Sequence, residues 1–100
     1  MNSKKYISML GLARRAGKLS MGHDMALGAV KERKAKMVIF SSDISPRLVA
    51  EFERAAQGIP CRAIDETMDE IHSCLGYRAG VLTVDDSNFS RRIQELIQQE

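Results

Sequence analysis

Apolar residues recur with helical spacing at Tyr6, Ile7, Leu10 and Ala13, which predicts a first helix over residues 3–16, capped by Ser3 and stopped by Gly17. Arg14, Arg15 and Lys18 at its end complement the negative pole of the helix dipole. Leu19-Ser20-Met21 follows as a brief strand or an extended connection. A second helix opens at Gly22-His23-Asp24 and runs to about Arg33, with Met25, Ala26, Ala29 and Val30 available for the core. Gly28 inside it costs about 1 kcal/mol against Ala, so it either permits close packing or leaves backbone open to a partner. Met37-Val38-Ile39-Phe40 is a continuous apolar run flanked by Lys36 and Ser41, and it predicts a fully buried central strand.

Ser45-Pro46 then starts a third helix, with Ser45 as cap and Pro46 at the first helical position, where its missing N–H does no harm. That helix runs to about Gln57 and ends at Gly58. A strand over Cys61–Ile64 follows Pro60, and an acidic fourth helix over Met68–Cys74 ends at Gly76. Val81–Val84 reads as a fourth strand. Asp85-Asp86-Ser87-Asn88 supplies turn and capping residues for a last helix whose Phe89, Ile93, Leu96 and Ile97 keep the i, i+4, i+7, i+8 rhythm. Helices alternate with strands throughout. That order predicts an α/β protein, a three-layer α/β/α sandwich with a mixed four-stranded sheet. With 100 residues, 44% of them hydrophobic, the chain suits one domain over residues 1–100 with one modest core.

A net charge of +2 says little until its distribution is read. Residues 1–36 carry nine Lys or Arg against Asp24 and Glu32, a net of +7, whereas residues 37–100 carry six basic and eleven acidic side chains, a net of −5. Such segregation gives the molecule a positive end suited to neutralising phosphates. No apolar run approaches the roughly 20 residues needed to cross a bilayer, and the opening residues lead into Gly11, Arg14 and Arg15 rather than a signal-peptide core. A cytoplasmic protein with no membrane partner is expected. Cys61 and Cys74 lack metal-binding spacing and read as small buried thiols.

Catalytic chemistry finds little to work with. His23 and His72 sit in no metal-binding pattern, and Gly17-Lys18-Leu19-Ser20-Met21-Gly22 lacks the spacing of a phosphate-binding loop. Asp65, Glu66, Asp69 and Glu70 are accounted for as caps and a solvated helix face. No cofactor, metal, catalytic residue or small-molecule substrate is therefore expected. Two segments instead suit nucleic acid. One is the start of the second helix, where Gly22, His23, Asp24 and Met25 are set among Lys18 and Lys31 and the Arg33-Lys34-Ala35-Lys36 run. The other is Leu75-Gly76-Tyr77-Arg78-Ala79-Gly80, whose Tyr77 and Arg78 offer planar surfaces for stacking on an unpaired base.

Gly22 ahead of a helix, followed by Lys34-Ala35-Lys36-Met37-Val38-Ile39-Phe40-Ser41-Ser42-Asp43-Ile44-Ser45-Pro46, resembles a stretch of the L7Ae/L30e ribosomal-protein family. Leu75-Gly76 and the apolar strand after it match a later segment, so the resemblance spans roughly residues 4–95. The stretch from Leu10 to Leu19 is similar, more narrowly, to a bacterial branch. The resemblance implies the three-layer sandwich, a non-catalytic protein binding ribosomal or other structured RNA as a monomer, and a preference for kink-turn RNA. It also implies that Gly22, Asp24, Met25 and Gly28 face the RNA, at positions where kink-turn binders carry Gly, Asn, Glu and Lys. Because Gly cannot replace the Lys donor and Met cannot accept as Glu does, the implied binding is weaker or differs in sequence preference. Leu75, Gly76, Tyr77 and Arg78 map onto the family's second RNA-contacting loop. A protein-interaction adaptor that keeps the fold is the competing expectation.

Overall fold

In the computed structural model, which describes residues 4–99, helices and strands alternate as the hydrophobic pattern predicts. The elements are α1 (Lys5–Arg15), β1 (Leu19–Met21), α2 (His23–Lys31), β2 (Met37–Phe40), α3 (Pro46–Ala55), β3 (Cys61–Ala63), α4 (Met68–Leu75), β4 (Val81–Val84) and α5 (Ser87–Gln99). The proposed cap Ser3 lies outside the described residues. Ser45 does cap α3, accepting from the Leu48 N–H at 3.3 Å with Pro46 in the first turn. Thr67 and Glu70 form a reciprocal capping box at the start of α4, and the Asp86 carboxylate accepts from the Phe89 N–H at 2.9 Å in the first turn of α5.

The strands form one mixed sheet in the order β1-β4-β2-β3. β4 is antiparallel to both neighbours, while β2 and β3 are parallel because α3 crosses between them. Alternation along the buried strands divides the core in two. Met37, Ile39, Leu82 and Val84 join Tyr6, Ile7 and Leu10 of α1, Ile71 of α4 and Ile93 of α5. Val38, Phe40 and Val81 join Ala26, Ala29 and Val30 of α2 and Phe52 of α3. Three layers result, with α1, α4 and α5 on one face of the sheet and α2 and α3 on the other.

Two expectations about burial change. Met25 is 65% exposed rather than part of the core, because the inward stripe of α2 is filled by Ala26, Ala29 and Val30. Cys74 is exposed and Cys61 only half-buried, since Ile71 and Leu75 take the inward positions of α4 and β3 is an edge strand.

Helix α2 stops at Lys31, two residues earlier than the pattern suggests. Its end is a six-residue closure in which the Arg33 N–H donates to Val30 O at 3.1 Å and the Lys34 N–H to Ala29 O at 2.9 Å, with Arg33 left-handed at φ 61°. Helix α1 closes identically, through Gly17 N–H to Arg14 O at 3.0 Å and Lys18 N–H to Ala13 O at 2.8 Å, with Gly17 at φ 73°.

Candidate nucleic-acid interface

The start of α2 is fixed by its neighbours in the sheet. The Gly22 N–H donates to Val81 O at 2.9 Å, which brings the helix N-terminus to the entry of β4. Gly22 has φ 92° and ψ 164°, a backbone region essentially reserved for glycine. A Cβ placed there would lie 3.4 Å from the Tyr77 hydroxyl and 3.6 Å from its ring. Tyr77, 55 positions away in sequence, is therefore seated over Gly22. The two segments singled out from the sequence meet at this point and form one surface.

Arg14 sets the height of that loop, a role hidden at the sequence level, where its position at the end of α1 suggested only a dipole interaction. Its guanidinium donates to Leu75 O at 2.5 Å, and Nη1 lies 3.2 Å from where a Gly76 side chain would begin. A cation at the C-terminus of α4 satisfies an orphan carbonyl and complements the helix dipole. The Leu75 side chain points into the core and is 5% exposed, so only its backbone belongs to the surface. Tyr77 remains 47% exposed. Arg78 is tied through Nε to Asp69 at 2.9 Å, which raises its already high pKa further.

His23 has charged partners on two sides. Nδ1 lies 2.9 Å from the Asp24 carboxylate, Nε2 lies 3.1 Å from Glu51 of α3, and the ring meets Phe52 edge-on at 5.6 Å. The bond to Asp24, followed by that to Glu51, raises the His23 pKa above its usual value near 6.5. Protonated, His23 offsets the negative charge of the fully exposed Asp24 side chain at the mouth of the surface. Sequence gave no sign of Glu51, which lies 28 positions away and reaches His23 only through packing of α2 on α3.

Gly28 sits one turn beyond Met25, and nothing lies within 4 Å of where its Cβ would be. Packing therefore does not demand a glycine there. Lys31 is exposed at the far end of the nine-residue helix, about 13 Å from its start. Lys18 lies at the opposite end of β1 from Gly22, with its carbonyl accepting from the Asp85 N–H at 2.8 Å, and the Lys36 N–H donates to Val84 O at 2.7 Å. The cations grouped by sequence thus divide. Gly22, His23, Asp24, Met25, Gly76, Tyr77 and Arg78 gather at one end of the sheet, and Lys18, Lys31, Arg33, Lys34 and Lys36 lie toward the other.

Among the described residues, no group of three or more His, Cys, Asp or Glu side chains is placed to hold a metal, and no helix is long and apolar enough to cross a membrane. The model of the ribosomal protein L7Ae/L30e/S12e/Gadd45 family matches residues 4–87. The chain belongs to that family. The Gly22 helix start and the Lys34–Pro46 stretch both lie within the matched residues. It is 28% identical over 99 residues to the RNA-binding protein YlxQ of Enterococcus faecium, covering 97% of this chain and 95% of that one. A Bacillus halodurans protein of unknown function superposes with a TM-score of 0.89 at 28% identity, over 96% of this chain and 99% of the other. The Giardia lamblia 15.5kD RNA binding protein shares the fold at a TM-score of 0.76 and 16% identity, over 99% and 90% of the two chains. The fold shared with these two structures thus covers nearly the whole chain.

Proposed function

We propose that the chain is a non-catalytic, monomeric, cytoplasmic protein that binds structured RNA, of ribosomal or kink-turn-like form, through the surface around Gly22. The observation that carries this reading is Tyr77 seated over Gly22, one helical turn from the exposed Met25. Of the three large hydrophobic side chains exposed among the described residues, Met25 and Tyr77 belong to this one surface and Leu12 lies elsewhere. An aromatic ring beside an open helix N-terminus suits an unpaired base and its adjoining phosphate. The name of the YlxQ relative supports RNA as the ligand.

In the kink-turn pattern a Lys occupies the position of Gly28, and the open space at Gly28 accommodates one. Gly28→Lys is expected to tighten binding to a kink-turn RNA by roughly tenfold or more, the worth of one charge-assisted hydrogen bond. Tyr77→Ala is expected to weaken it by a similar factor, the worth of one stacked base. Fluorescence anisotropy in a salt titration against kink-turn, ribosomal and unstructured RNA checks both variants. Absence of binding to all three RNAs at low salt would overturn the proposal.

A further inference from the structure

Beyond the Gly22 surface, the far end of α2 holds an open groove of about 760 Å³ between the α2–β2 connection and the end of α3. Lys31, Arg33, Lys36 and Arg54 line it over a floor that includes Val30 and Ile59, and no carboxylate is among the lining residues. None of these four cations forms an ion pair among the described residues, although Glu32 sits beside them at the α2 cap. Lys31 and Arg54 occupy the last turns of α2 and α3, where a cation is favoured by the helix dipole. Two helix ends offset only about one unit of charge between them and Glu32 another, which leaves roughly two units uncompensated.

Arg33 is the second observation. The closures of α1 and α2 have the same pair of hydrogen bonds, yet α1 places Gly17 at the left-handed position and α2 places Arg33 there. A glycine solution to this turn, free of backbone strain, exists in the same chain, and the groove instead carries a cation at the left-handed position. Sparsely populated backbone conformations of this kind concentrate where a side chain has a task.

We propose that this groove is a second RNA contact, which takes the phosphodiester backbone of a duplex arm leaving the Gly22 surface along α2. The inference rests on the RNA-binding reading above. The groove is open and cationic, which suits a polymer backbone, and it lies about 13 Å from the first surface, the length of α2. An arm too short to pass the end of α2 does not reach it.

The test compares a minimal kink-turn hairpin with the same hairpin bearing an extended duplex arm, each titrated with salt. The groove variant combines Arg33→Asn, Lys36→Gln and Arg54→Gln, with asparagine chosen because it tolerates the left-handed backbone. A control variant, Arg62→Gln with Arg91→Gln, removes positive charge elsewhere, and thermal unfolding checks that both remain folded. The groove variant is expected to lower the slope of log affinity against log salt by about two to three units on the extended RNA, with roughly tenfold weaker binding, and to leave the minimal hairpin unchanged. Equal loss in the control variant, or an unaltered slope on the extended RNA, would overturn this inference alone. So would a groove that binds poly-glutamate while the RNA slope stays fixed, since the surface then belongs to an acidic protein segment. Failure of the unaltered chain to bind either RNA would overturn the proposed function and this inference with it.

Discussion

Two glycines six residues apart, one at the N-cap of α2 and one inside it, obey opposite rules. Gly22 occupies a backbone region that side chains avoid, beneath Tyr77, whereas Gly28 is helical with open space where a Cβ would be. Gly22→Ala should destabilise the protein by about 1–3 kcal/mol, the cost of holding a non-glycine residue in that region. Gly28→Ala should stabilise it by up to about 1 kcal/mol, through helix propensity alone. Chemical denaturation of the two variants checks the pair, and destabilisation by Gly28→Ala would show that its absent side chain matters to packing. The sequence marks both glycines as unusual. Only the dihedral angles and the ring of Tyr77 separate a glycine required by the backbone from one left open on the surface.

At the scale of elements, α2 is anchored at its start by His23, which joins its own Asp24 to Glu51 of α3. Because both carboxylates raise the folded pKa of His23, its contribution to stability is complete below about pH 6.5 and fades as pH rises through the raised folded value. The thermal midpoint of the unaltered protein should therefore exceed that of His23→Gln by more at pH 6 than at pH 8. Glu51→Gln should shrink the difference, and an NMR titration of the imidazole should move its midpoint toward the ordinary value. A midpoint insensitive to Glu51→Gln would contradict the tether. RNA binding at the adjoining surface should strengthen as pH falls through the same range, because protonated His23 offsets Asp24.

Local signals made most elements legible. The apolar run of β2, the Ser45-Pro46 start of α3 and the i, i+4, i+7, i+8 rhythm of α5 each act over a few residues, and each appears where expected. What escaped depends on distance in sequence or on the edges of a stripe. Met25 is apolar and lies beside the inward face of α2, but small alanines complete that face and leave it exposed. Leu75 is a loop contact by resemblance to the family's second RNA-contacting loop, yet its side chain is the last inward one of α4. The seat of Tyr77 on Gly22, the brace from Arg14 to Leu75 O and the approach of Glu51 to His23 all arise from tertiary packing.

For the whole molecule, folding redistributes the positive charge that the sequence concentrates in its first third. A short helix and the reversal into β2 carry Arg33, Lys34 and Lys36 to the end of the sheet opposite Gly22. The surface proposed to read RNA and the groove proposed to hold its backbone are consequently different places, at opposite ends of α2. On the proposed reading, the segregation of charge serves length of contact more than strength at one point. With that division, the proposed Gly22 surface can carry an exposed aspartate while the cations that attract RNA lie elsewhere.

The central claim, that the surface around Gly22 and Tyr77 meets structured RNA, is tested most directly by following backbone amide shifts in a ¹⁵N-labelled sample as kink-turn RNA is added. The largest changes should fall at residues 22–28 and 76–79. Smaller changes at 31–36 should appear only when the RNA carries an extended arm. Changes confined to the opposite side of the molecule, around α1 and α5, or no changes at all at low salt, would contradict it.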